Sequence, residues 1–399
     1  MKVRHYKSYY RKTNNSLKTI ALILAVVLVI AGFLLIKFLM SKQDSNDVDT
    51  SSQTSSKVVS NTSSEITPVR TSTVRAVFLT SDVASDVTKL AQFIETAKEN
   101  NITDVIITVK DEVGYLYYDT AYTPAANIKN RSDQMYDVSL AVTALHNNGL
   151  KAVAHMHCFS DRIGTRIKNA GVLYSENHSV VWLDDDKENG GKSWLNPYSD
   201  EAVAYLNYIA NELVAMKFDT ILLDSVRFPG GYQNYAYYGE NLSTKKACLS
   251  GFVSEMKQKL KENNVDLWLY ASAQSYVDPV LEIHPDNVFS LGADTVLIDT
   301  MPNNFPSRLA FGQVQIEKPV QNPEQTVLAL VTHAQETASK VGKIRIIPVL
   351  QGYTDPTITA DYNLTYTQTE LQKQFLALDK TAISDYVVYT KNSELDILQ

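Results

Sequence analysis

Two cysteines in 399 residues are too few for a disulfide framework, and Cys158 and Cys248 fall on different expected elements with no metal-ligand spacing. Both read as small buried residues. No Gly-x-Gly-x-x-Gly or Walker pattern follows the first apolar strand, where the chain reads VFLTSDVAS, so a nucleotide loses its usual support and no cofactor is expected. The absence of a Gly-x-Ser-x-Gly elbow argues against Ser-His-Asp hydrolysis. Cations are scarce over most of the chain. Of 37 Lys and Arg, seven lie at or before Lys37, which leaves 30 against 44 Asp and Glu and a net charge near −14 over the remainder. Such a balance is a poor match for nucleic acid, which needs clustered Lys and Arg.

Acidic residues are also missing from positions 1–18, where Lys2, Arg4, Lys7, Arg11, Lys12 and Lys18 stand. The stretch that follows, Thr19 to Met40, is apolar except for Lys37 and long enough as a helix to cross a bilayer. The charge bias places a basic tail in the cytoplasm and sends the rest across, and no convincing small-x-small cleavage site follows LLIKFLMSKQ. A single-pass anchor in the lipid bilayer is therefore expected over 19–40. Residues 41–73 are Ser/Thr-rich with almost nothing to bury, as a flexible tether would be. One globular unit is expected over 74–399, outside the cytoplasm.

Within it, short β-branched runs alternate with longer amphipathic ones. The spacing predicts strands over 74–81, 104–111, 151–160, 219–226, 266–274, 294–301, 343–352 and 384–391. Between them lie helical patterns such as DVTKLAQFIETAKENN, with Leu90, Phe93, Ile94 and Ala97 at three- and four-residue spacing. Strands apolar enough to be covered on both sides, alternating with helices, describe a parallel sheet. A doubly wound open sheet fits the alternation too, but eight strands at this length favour a closed (β/α)8 TIM barrel.

A barrel of this kind places its chemistry at the C-terminal strand ends. Polar residues gather there: Lys110, Asp111 and Glu112 after strand two, His155, His157 and Asp161 around strand three, Asp224 and Arg227 at strand four, Gln274 at strand five, Asp299 at strand six and Gln351 at strand seven. Asp104, Asp219, Asp266 and Asp294 at strand starts read as turn and capping residues. In FDTILLDSVRFPGG, an apolar run ends on Asp224 with Arg227 three residues on, either a structural ion pair or part of a working site in which Arg227 keeps Asp224 ionised.

Glycosidic bonds are cut by two carboxyl groups, one giving a proton to the leaving oxygen, one ionised. Asp224 is the expected ionised partner. For the acid, Asp299 on strand six faces it across the mouth, Asp111 sits in a VKDE context, and Asp161 either joins them or caps a helix starting near Arg162. His155 and His157 share one strand face and would hold substrate hydroxyls, with a metal pair as the weaker reading because three or four ligands are needed. Tyrosines cluster after strand two (Tyr115, Tyr117, Tyr118) and after strand four (Tyr232, Tyr235, Tyr237, Tyr238), suited either to sugar faces or to loop packing.

The segments VKDEVGYLYYD (109–119), WLNPYSDEAVAYLNYIANELVAMKFDTILLDSVRFP ending at Pro229, and RIIPVLQGY (345–353) resemble a bacterial glycoside-hydrolase-like family known as domain of unknown function 4015, a TIM-barrel group distantly similar to α-amylase-like barrels. The resemblance covers nearly all of 74–391. It implies a glycan or polysaccharide substrate and supports Asp111 as a catalytic or sugar-orienting group; by their place at the rim, Lys110, Glu112, Tyr115, His155, His157, Asp161, Arg227, Gln274 and Gln351 are the expected substrate-binding positions. Four positions depart from the family pattern: Gln274 where an Asp follows Ser-Ala, His155 in place of Arg, Ser160 in place of Lys in Phe-Lys-Asp, and Ser225 in place of Tyr. The missing strand-five carboxylate keeps open a catalytically weak or inactive barrel that binds glycan, and a scaffold held by its tether is the third reading.

Overall fold

In the computed structural model, the described residues are Ser72–Gln399 apart from Asn130, Asn241 and Pro306. The expectations of a basic tail, a membrane span and most of the tether fall on 1–71 and lie outside them. No helix among the described residues is long and apolar enough to cross a membrane.

The eight expected strands all form, each shorter than its apolar run. They are β1 (Arg75–Leu79), β2 (Asp104–Lys110), β3 (Lys151–His157), β4 (Thr220–Asp224), β5 (Asp266–Ala271), β6 (Thr295–Asp299), β7 (Arg345–Gln351) and β8 (Tyr386–Tyr389). All pair in parallel with their sequence neighbours, and Arg75 against Tyr386 starts the register that closes β8 onto β1. This is a (β/α)8 barrel, and the open-sheet alternative is excluded by that closure.

Among the described residues six long helices cover the outside: α1 (Val87–Glu99), α2 (Val138–Asn147), α3 (Asp200–Ala215), α4 (Lys245–Lys261), α5 (Pro323–Ser339) and α6 (Gln368–Thr381). Their starts follow from side chains that satisfy otherwise unpaired amides. Asp86, Asp137, Ser199 and Thr244 each accept such a bond, and Thr367 with Glu370 forms a reciprocal capping box on α6. Between β5 and β6 there is no long helix, only the short turns Gln274–Val277 and Val288–Leu291. That gap broadens the rim beside β5.

Strand alternation sorts the core into two layers. Val77, Val105, Ala154, Leu223, Leu269 and Ile298 face the helices, whereas Ala76, Ile106, Val153, Leu222, Trp268 and Leu297 fill the barrel interior. Following the interior set two residues onward along β3, β4, β5 and β6 gives His155, Asp224, Tyr270 and Asp299. The same alternation that buries the core therefore aims these four side chains into the mouth.

At the opposite end, the Asp385 carboxylate accepts from Arg345 Nε and Nη2 at 2.7 Å each and from the Val74 amide at 2.8 Å. This ties β7, β8 and β1 together below the core. Asp219 and Asp294, expected as turn and capping residues, instead make long-range contacts: Asp219 accepts from the Ala152 amide and meets His146 Nε2, both at 2.8 Å, and Asp294 pairs with Lys257 at 2.8 Å.

Candidate functional site

Asp224 is the last residue of β4, and its neighbours decide its state. His155 Nε2 lies 3.2 Å and His157 Nε2 lies 3.7 Å from Asp224 Oδ2, while the Ser225 amide donates to the other oxygen. Ser225 holds a left-handed φ of 56°, uncommon for a non-glycine residue, and from there its hydroxyl meets His157 Nδ1 at 2.9 Å. Burial opposes the Asp224 charge, yet the imidazoles of His157 and His155 and the Ser225 amide hold its carboxyl well below the usual range. Burial lowers His157 to about 4, so that ring is neutral near pH 7.

Among the described residues Asp224 makes its close pairs with these imidazoles and none with Arg227, so the structural ion pair does not form, although Arg227 lines the same cavity and the Asp224 charge helps keep it protonated. The Arg227 guanidinium instead stands 4.5 Å over the Trp194 ring, and Nη1 donates to the Phe228 carbonyl. Proline and two glycines after Phe228 turn the chain so that this stacking is reached. Gly231 has φ +78°, and a Cβ there would lie 1.7 Å from the Asp184 carbonyl oxygen.

Asp299 ends β6 and is only 7% exposed. Its carboxylate accepts from the Met301 amide at 3.0 Å, from Asn304 Nδ2 at 2.7 Å and from the Tyr270 hydroxyl. Burial nevertheless raises it to about 6, and the Asp224 charge adds to the rise against those three donors. The two carboxyl groups are not on opposite sides of the mouth, as expected, but flank one strand, since β5 lies between β4 and β6. Tyr270 on β5 stands between them, its own ionisation pushed well up by burial and by both carboxylates.

The other expected acids do different work. Asp111 is one residue out of phase with the interior set, and its Oδ1 accepts from the amides of Val113, Gly114 and Tyr115 at 2.8–3.0 Å. It shapes the loop after β2. Asp161 and Lys110 are buried side chains paired at 2.9 Å; Lys110 Nζ also donates to the His157 carbonyl at 2.7 Å, and Asp161 accepts from the Gly164 amide. Both are sealed beneath the rim and support β3 from below, which corrects the expectation that they touch sugar. Gln351 is likewise fully buried; it accepts from the Asn303 amide and donates to the Tyr353 carbonyl, so it positions the loop after β6.

Two cavities meet at Asp224 and His157. One, of 790 Å³, is walled by Phe78, Tyr117, Tyr270, Tyr353 and Tyr389 with His155 at its floor. The other, of 880 Å³, holds Asp299, Gln274, Arg227, Trp194 and Glu112, the last also 3.8 Å from Lys192. Tyr115 is 37% exposed on the loop beside them. The tyrosines after β4 do not line either cavity: Tyr237 stacks on His178 at 3.7 Å, and Tyr238 packs with Phe228 and Tyr198. Of the tyrosine cluster after β2, Tyr117 lines the first cavity; the rest of its aromatic wall comes from Phe78, Tyr270, Tyr353 and Tyr389, residues that carry no loop-cluster signal and are found by following strand parity to the last turn.

The profile of the family described as "Putative glycosyl hydrolase domain" matches residues 76–394. Among solved structures, the fold is similar to the glycoside hydrolase domain of PgaB (BpsB) from Bordetella bronchiseptica, at 16% identity and a TM-score of 0.58, over 81% of this chain and 95% of that one. α-L-Fucosidase isoenzyme 2 from Paenibacillus thiaminolyticus gives a TM-score of 0.50 at 10% identity, over 82% of this chain and 48% of that one. A hypothetical protein from Ruminiclostridium thermocellum is 23% identical over 48% of this chain and 96% of that one, with a TM-score of 0.43. No curated protein matches the sequence.

Proposed function

We infer that this chain, which belongs to the family described as "Putative glycosyl hydrolase domain", hydrolyses a glycosidic bond of a polysaccharide with Asp299 as the proton donor and Asp224 as the ionised partner. The observation that carries the reading is the pair itself: two carboxyl groups on strands flanking Tyr270, one held charged by imidazoles, the other raised to about 6 by burial. Neighbouring strands run roughly 4.8 Å apart, so backbones two strands apart are separated by about 9–10 Å, and side chains converging inward come closer. That matches the roughly 5–9.5 Å at which glycosidase carboxyl pairs operate.

In the reaction, Asp299 passes its proton to the leaving oxygen as the bond to the anomeric carbon lengthens, and Asp224 stabilises the positive charge that develops there. Water supplies hydroxide to the anomeric carbon, and its second proton returns a carboxyl group to the acid form. Phe78, Tyr353 and Tyr389 offer ring faces to the sugar on one side; Arg227, Glu112 and Gln274 offer hydrogen bonds on the other. The apolar stretch 19–40 with its basic flank supports a single-pass anchor that leaves the barrel extracytoplasmic, joined through a Ser/Thr-rich tether.

The experiment is reducing-end release from a panel of envelope and environmental polysaccharides. Wild type releases ends from at least one glycan, and Asp224→Asn lowers that rate by about 10²–10⁴-fold; equal release by the variant removes Asp224 from the chemistry. Gln274, exposed in the same cavity where the family pattern has a carboxylate, favours a second reading of glycan binding without cleavage. Saturable binding retained by Asp224→Asn, with no turnover on any glycan, selects it.

A further inference from the structure

The imidazoles that keep Asp224 ionised also form, together with it, a donor set of a kind that binds metal. His155 and His157 leave β3 on one face, and Asp224 is the register partner of His157 on β4. One donor atom from each can be chosen so that all three lie within 4.8 Å of one another. A tetrahedral zinc ion with bonds of about 2.0–2.1 Å sets its ligand atoms roughly 3.3 Å apart. The distances from His155 Nε2 and His157 Nε2 to Asp224 Oδ2, 3.2 and 3.7 Å, bracket that edge. The third edge, between donor atoms of the two imidazoles, lies within the same 4.8 Å limit.

The outer contacts of the two rings are the second observation. His155 Nδ1 lies 3.1 Å from the Thr108 hydroxyl, and His157 Nδ1 lies 2.9 Å from the Ser225 hydroxyl. Each hydroxyl can accept an Nδ1–H, the tautomer in which an incoming ion takes the place of the Nε2–H that otherwise faces Asp224. Imidazoles that bind metals are oriented by such outer partners. The strained φ of 56° at Ser225 serves the same end, since it carries the hydroxyl to His157. The three side chains are 9%, 18% and 18% exposed, and the 790 Å³ cavity opens directly on them, so a fourth position stays free for water or a substrate oxygen.

We propose that His155, His157 and Asp224 form a binding site for one divalent transition-metal ion of the kind that accepts two imidazoles and a carboxylate, zinc foremost. Two nitrogen donors and one oxygen donor with an open position suit zinc or ferrous iron and disfavour magnesium and calcium, which take all-oxygen shells. An ion held there engages the carboxylate that hydrolysis needs free, so the metal-bound and hydrolytic forms are alternative states of one mouth. The site goes beyond the hydrolytic reading, and its binding test uses no glycan.

The test is calorimetric titration of Zn²⁺ into the full chain, purified in detergent and stripped with chelator, with Co²⁺ visible absorption as a second readout. One equivalent of Zn²⁺ binds with a dissociation constant on the order of 1 μM or tighter. Co²⁺ gives the intense bands of a four-coordinate site. His155→Gln and His157→Gln each remove that binding. Thr108→Val, which touches no metal, weakens it by about 10-fold or more at unchanged thermal stability. Absence of saturable Zn²⁺ binding, binding undiminished in a His155→Gln/His157→Gln double variant that melts like wild type, or only weak six-coordinate Co²⁺ bands would each overturn the proposal. None of these results depends on whether any polysaccharide is cleaved.

Discussion

Replacing Asp299 by Asn should stabilise the protein while abolishing hydrolysis, and the stabilisation should depend on pH. The ordinary carboxyl value is 3.8, and the folded barrel raises Asp299 to about 6. Below 3.8 the group is protonated in both folded and unfolded chains and costs nothing. Between 3.8 and 6 the folded protein keeps a proton that the unfolded chain releases, so stability falls as pH rises; above 6 the loss is complete. At 1.36 kcal/mol for each pH unit of that gap, the penalty is about 3 kcal/mol. Asn avoids it, and its side-chain oxygen can still accept from the Met301 amide. One Asn oxygen cannot serve all three donors; with the Met301 amide and the Tyr270 hydroxyl sharing it, the Asn304 amide loses its acceptor, which returns about 1 kcal/mol of the gain. Asp299→Asn is therefore expected to unfold about 2 kcal/mol later than wild type at pH 7.5, and to lose that advantage at pH 4. Urea unfolding followed by tryptophan fluorescence reads this well, because Trp182, Trp194 and Trp268 are all buried. A variant less stable than wild type at pH 7.5, or offset equally at both pH values, would refute the account of Asp299.

Tyr270→Phe removes a hydroxyl that favours the charged form of Asp299, so the alkaline limb of the hydrolysis profile should move upward by about one pH unit, measured on whichever polysaccharide wild type cleaves. Lys110→Met leaves the Asp161 carboxylate buried without its cation and should cost about 3–5 kcal/mol in urea unfolding; an unchanged midpoint would mean the pair contributes nothing. Gly114→Ala should cost at least about 2 kcal/mol, since residue 114 sits at φ +104° and a Cβ there would lie 1.8 Å from Asp161 Oδ1; a fully stable variant would show the loop to be adaptable.

Much of the barrel is legible in the sequence because both layers of its core must be apolar, so each strand announces itself as a short β-branched run. The same runs overstate strand length: 151–160 reads as one strand, whereas pairing ends at His157 and the next residues turn into the rim. Strand parity was available to the reading, and it separates Asp224 and Asp299, which share the phase of Leu222 and Leu297, from Asp111, which does not share the phase of Ile106. Depth was not available. Lys110 has the parity of Ile106, but a register shift after Thr108 sets it opposite the helix-facing Met156, where Asp161 covers it; neither that shift nor a contact 51 residues away leaves a local mark. The β4 tyrosines misled for a related reason. Tyr237 and Tyr238 pack against His178, Phe228 and Tyr198, and Tyr232 and Tyr235 stand exposed beside each other, while the aromatic wall of the mouth is assembled, Tyr117 apart, from single residues on or next to distant strands.

The most direct measurement is the rate of reducing-end release across pH 4–8 for wild type and for Asp299→Asn on the polysaccharide that wild type cleaves. The account predicts a wild-type rate that declines above pH 6, where the donor has lost its proton, and a variant with little activity at any pH. A rate that stays level through neutrality, or a variant that keeps it, would contradict the assignment of the two carboxyl groups.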